Sequence, residues 1–258
     1  MIEILQWSTL VVCGALALAR VPSAIRGENR LLFGILLLMT FAVLLSTEVP
    51  YLAIDQVLGS RNLANLGLRF IVFGAILLVG IRVAKGFEAS NALWLITGRP
   101  GAVAFAVAGV AVLVTFLLMD TAGSSSGLQS VAAKNARNGA LVEYYGAAGR
   151  LYPSYVSLVL LPAMIRAARS SLPALIRAAA ALLIVGTAAI AISLLSPVIP
   201  PDLGFVRFIV NYTAILCYLL ALALIWADRL RAQASPRSRR TGQAAAAPVQ
   251  KSQDYGRP

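Results

Sequence analysis

The chain has 258 residues, 59% of them hydrophobic and 12% charged, and 22 basic residues against 10 acidic ones give a net charge of +12. A soluble domain is nearer half apolar and a quarter charged. The composition therefore points away from soluble domains and, because the apolar excess comes in long blocks, towards an all-α polytopic membrane protein.

Seven transmembrane helices are predicted, each of about 20 mainly apolar residues. The first, Ile4–Ala19, follows Glu3 and no basic n-region, so it reads as a retained helix rather than a signal peptide. The second, Leu31–Pro50, carries Glu48 at its end. The third, Leu63–Ile81, carries Arg69 about two turns in, and the fourth, Gly101–Met119, is followed by Asp120. Next comes "DTAGSSSGLQSVAAKNARNGAL", residues 120–141, which reads as a flexible, solvated Gly-Ser linker with a candidate surface helix or lid in its second half. The fifth crossing, Tyr144–Ile165, is entered through "EYYGAAGRLYPSY". The sixth, Leu175–Leu195, and the seventh, Phe205–Ala227, are joined by the tight turn "SPVIPPDLGF", in which Asp202 can cap the last helix. Residues 1–230 thus form the membrane domain, and the basic, low-complexity residues 231–258 read as a disordered tail.

Lys and Arg are distributed unequally between the two sets of connections. One set, with the tail, holds 16 of the 22, and the opposite set holds six. The richer side is expected to be cytoplasmic, with the N-terminus outside and the C-terminus inside. The excess of 19 Arg over 3 Lys suits a GC-rich bacterial genome, hence a bacterial cytoplasmic membrane. The basic tail fits anionic lipids at the cytoplasmic face, or a protein partner. No aromatic interleaving accompanies it, so nucleic acid is not expected.

Histidine is absent, which excludes His-ligated haem, a three-His zinc site and a Ser-His-Asp triad. No cofactor or metal is called for. Cys13 and Cys217 fall within apolar runs and read as small buried side chains.

Ionisable residues within a membrane are candidates for function because each is costly there. Here they gather towards the outer side. Glu143 and Arg150, seven residues apart, share a helical stripe about 10 Å apart along the axis, and Tyr145 and Tyr152 form a neighbouring stripe. Arg69, Arg150 and Arg207 are candidate cations for an anionic group, with Asn211 one turn beyond Arg207. Glu48, Asp120 and Glu143 are candidates for tuning or gating. Two plainer readings stand beside this one. The arginines snorkel to the interface among a belt of tyrosines, or they pair structurally, as Arg69 with Glu48.

The stretch "YLAIDQVLGSRNLANLGLRFIVFGAILLVGIRVAKG", residues 51–86, places Asp55 before a Gly-x-x-Asn-Leu-Ala run, Gly59 to Ala64. It resembles a family of actinobacterial seven-helix integral membrane proteins of unknown function, described as transporters or regulators. The resemblance implies the seven-helix plan and brings no catalytic residues.

The expected function is binding of a small polar or anionic ligand from the extracytoplasmic side, as a transporter or sensor component. The alternative is a membrane scaffold or partner subunit held by its basic tail. With no histidine and no acid pair deep in the bundle, an enzyme is not expected.

Overall fold

The computed structural model describes residues 2–27 and 30–195, then the scattered helical residues 209–210, 213–214, 216–218, 220–221, 224–225 and 228. The predicted site residues Arg207 and Asn211, the Asp202 cap and the basic tail lie outside the described residues.

Nine α-helices are described from end to end, and the described residues contain no strand. They are α1 (Ile2–Ile25), α2 (Arg30–Ser46), α3 (Glu48–Val57), α4 (Leu63–Gly86), α5 (Ser90–Thr97), α6 (Arg99–Leu118), α7 (Gln129–Ala133), α8 (Ala136–Arg169) and α9 (Ala174–Ser193). Four of these, α4, α6, α8 and α9, are long and apolar enough to cross a membrane, and α2 with α3 makes a fifth if that bent pair is one span. The protein is membrane-embedded.

The second predicted crossing is corrected. It does not run to Pro50 but stops at Ser46, and α3 leaves at 89° to α2. Proline is the physical reason: Pro50 has no N–H for the carbonyl of Ser46, and its ring would clash there. Thr47 instead turns extended (φ −89°, ψ 131°), and Pro50 falls in the first turn of α3, where no donor is missed.

Contacts fix the register of the bundle. Along α4 and α8, Asn65 meets Tyr145, Phe73 meets Tyr152 and Gly80 meets Val156, so these two helices run parallel. Helix α6 is antiparallel to both: Phe105 stacks edge-on to Tyr152 and Phe116 lies beside Tyr145. Helix α9 returns along α8, with Ser193 opposite Arg150. The core is an aromatic stack of Phe70, Phe73, Phe105 and Tyr152 in the middle of the bundle. Two glycines permit its closest approaches. A Cβ on Gly80 would stand 2.7 Å from Val156, and one on Gly101 would clash with the carbonyl oxygen of Ile96.

Helix α8 begins at Ala136, well before the predicted Tyr144, because Asn135 caps it by accepting the Asn138 N–H at 2.8 Å. Its first turns pack against α7. The segment 120–135 is likewise not a solvated linker. Leu128 and Val131 are buried, and they anchor a 3-10 turn (Ser126–Leu128) and α7.

Candidate functional site

The site sits where the start of α4 meets α3, the 120–135 segment and the early turns of α8. The first apolar turn of α4 needs a cap, and its own N-cap residue does not supply one. Asn62 adopts a left-handed conformation (φ 56°) and turns its side chain away from α4. The cap comes instead from α3. Asp55, fully buried, accepts the N–H of Asn62 on Oδ2 at 2.9 Å and the N–H of Ala64 on Oδ1 at 3.1 Å. A carboxylate at this end also complements the positive pole of the helix.

The freed Asn62 amide gathers the chain from the other side. Its Nδ2 donates to the carbonyls of Thr121 (3.0 Å) and Gly123 (2.7 Å), while Oδ1 accepts from Tyr51 Oη (2.7 Å) and the Ser125 N–H (3.0 Å). Ser124 Oγ donates to Asp55 Oδ2 at 2.5 Å. Every polar atom of the Asn62 side chain is therefore used, as burial demands. The "GSSSG" stretch is tied down by these bonds.

One turn along α4 a second polar group begins. Asn65 Oδ1 accepts from Tyr145 Oη at 3.0 Å, and this fixes the fully buried Tyr145 ring. Arg69, the next turn on, lies over that ring with its guanidinium carbon 5.0 Å from the centroid. The contact falls within the range of a cation–π interaction. Gly149 makes the room: a Cβ there would stand 2.9 Å from Arg69 Nη1. The Nε of Arg69 is buried and has no acceptor among the described residues.

The predicted site residues do not all converge on this point. Tyr145 and Arg69 meet. Tyr152, on the same stripe as Tyr145, faces the aromatic core between Phe73 and Phe105. Arg150 faces α9 instead, where Nη1 donates to the carbonyl of Ser193 at 3.1 Å. Because Ser193 ends α9, Arg150 stands level with the C-terminal end of that helix. Glu143 is half-buried on α8. Glu48 is exposed in the first turn of α3, so the expected Arg69–Glu48 pair is replaced by the Arg69–Tyr145 contact.

Asp120 forms an ion pair with Lys134 at 3.0 Å, and Lys134 Nζ also donates to the carbonyls of Asp120 and Ala122. The Lys134 hydrogen bond and the Ala122 N–H hold the Asp120 carboxyl below its usual value of 3.8.

Sequence reasoning missed Tyr51, Asn62, Asn65 and Ser124 as members of one site. Asp55 and Asn62 stood in the quoted stretch 51–86, and the signal available there was a buried-type acid seven residues before an asparagine that opens an apolar helix.

No protein-family model, curated protein or solved structure matches this chain.

Proposed function

We propose that the chain is a non-enzymatic, seven-helix protein of a bacterial cytoplasmic membrane that binds a small anion from the extracytoplasmic side, as a transporter or sensor component. One observation carries this reading: the buried Nε of Arg69, held over Tyr145 without an acceptor. An unsatisfied buried donor costs about 1–3 kcal/mol, and more when charged. A carboxylate or phosphate oxygen at Nε would recover that cost through a charge-assisted bond, and a planar guanidinium suits a bidentate partner. Arg69 as a whole is half-buried, so an anion meets its exposed part first and reaches the buried Nε as the side chain shifts. The knot of Asp55 and Asn62 two turns away supplies the rigid mount that such a site needs.

The test is thermal unfolding of the detergent-solubilised protein against a panel of carboxylates and inorganic phosphate. A ligand at about 100 times its Kd stabilises by about 2.7 kcal/mol. At least one anion should raise the melting temperature of the wild type and leave Arg69→Gln unmoved. Equal shifts in both proteins, or none in either, would overturn the reading. Flux of that anion into proteoliposomes then separates a transporter from a sensor.

A further inference from the structure

A second site lies away from Arg69, on the outward face of α6. There an open groove of about 720 Å³ runs between α6 and α8, with Trp94 of α5 also in its lining. Its lining is almost wholly apolar. Arg99 and Trp94 both line it, and Val103 and Val107 follow Arg99 along one stripe of α6, with Leu151 and Tyr155 as the opposite wall. Eight residues of helix from Arg99 to Val107 span about 12 Å. Val103, Val107 and Trp94 are each about 60% exposed, so the groove opens on the surface that α6 turns to lipid.

We propose that this groove holds one anionic phospholipid, its headgroup phosphate on Arg99 and one acyl chain along Val103 and Val107. Three features select that occupant. Arg99 is the one charged side chain in the lining, which fits a ligand with a single negative end. It is also the first residue of α6, so the positive pole of a twenty-residue helix adds to its charge. The wall is already satisfied: Tyr155 Oη donates to the carbonyl of Leu95 at 2.7 Å, leaving the rest of the groove to apolar contact. A second copy of the chain would instead bring another protein of net charge +12 against Arg99. An indole beside a cation at the end of an apolar track is the arrangement found at membrane interfaces.

The experiment uses the full chain with Trp7→Phe and Trp226→Phe, leaving Trp94 as the single tryptophan. It is reconstituted in vesicles in which either phosphatidylglycerol or phosphatidylcholine carries brominated chains, at equal mole fraction. Trp94 quenching should show about a five-fold preference for the anionic lipid, as one interfacial arginine gives. Arg99→Gln should abolish the preference and Arg99→Lys should keep most of it. Ala104→Phe, which fills the groove without touching the charge, should lower quenching by both lipids. Equal quenching by the two lipids in the Trp94 protein, or a preference that survives Arg99→Gln, would overturn the assignment.

Discussion

The carboxylate of Asp55 accepts the backbone N–H of Asn62 at 2.9 Å, although the two residues lie on different elements and neither reaches solvent. The same carboxylate takes the N–H of Ala64 and the hydroxyl of Ser124. One side chain therefore caps α4, fixes its distance from α3 and holds the loop that follows α6. Asp55→Ala strands all three donors, each worth about 1–3 kcal/mol when left unpaired. The variant should lose at least about 3 kcal/mol and unfold at a clearly lower temperature in detergent. Asp55→Asn keeps the shape and one acceptor oxygen, and it should lose less. A melting temperature for Asp55→Ala within a degree or so of the wild type would contradict the capping role.

Asn62 does two jobs that substitutions can separate. Its φ of 56° favours glycine, and its amide joins four partners. Asn62→Gly keeps the backbone geometry and loses only the amide bonds. Asn62→Ala loses both, and a left-handed residue with a Cβ costs about 1–2 kcal/mol. Alanine should therefore be the more destabilising by about that amount, reversing the order seen in helix interiors. The two midpoints of chemical denaturation compare them directly, and equal midpoints would place the whole effect in the amide.

The long apolar helices were legible because lipid exposure leaves an unbroken record in the sequence. Helices α4, α6 and α9 begin at Leu63, Arg99 and Ala174, against predicted starts of Leu63, Gly101 and Leu175. The turn into α3 was not legible, because "VPYLAI" is apolar enough to continue a crossing, and only the position of Pro50 marks the break. The site was half legible. Arg69 and Tyr145 were singled out by residue type, but Asn65, which orients Tyr145, is 80 residues away in the chain. The bond from Ser124 to Asp55 spans 69 residues, and a Gly-Ser run carries no local sign that it will be tied down. Helical spacing put Glu143 and Arg150 on one stripe, but it did not say that Arg150 faces α9 while Tyr145 and Tyr152 face α4 and α6.

Asp120 and Lys134 make the 120–135 segment sensitive to acid. The folded-state value of Asp120 is depressed, so its contribution is fully present above the unfolded value near 3.8 and is lost as pH falls through the lower folded value. Below that point Lys134 keeps only its carbonyl partners. Pepsin cleavage within 120–135 should therefore rise as pH drops below about 3.8 in the wild type. In Asp120→Asn the segment should already be as open at pH 4 as the wild type is in stronger acid. Comparing the two proteins at each pH removes the protease's own dependence, and parallel curves would count against the pair.

Arg150 is the residue for which stability and binding make opposite forecasts. Its guanidinium donates to Ser193 at the C-terminal end of α9, where the negative pole of the helix favours a cation. Bonds of this kind to a charged group contribute about 1.5–3 kcal/mol. Arg150→Gln should accordingly lower the melting temperature, whereas the shift produced by the anion that binds Arg69 should be unchanged, because Arg69 reaches Gly149 and Tyr145 from the other side of α8. Gly149→Ala should do the reverse: its Cβ pushes into the Arg69 guanidinium, so the response to anion should weaken more than stability does. If Arg150→Gln removed the anion shift and left stability intact, the two arginines would share one ligand and the binding site would have to extend round α8 towards α9.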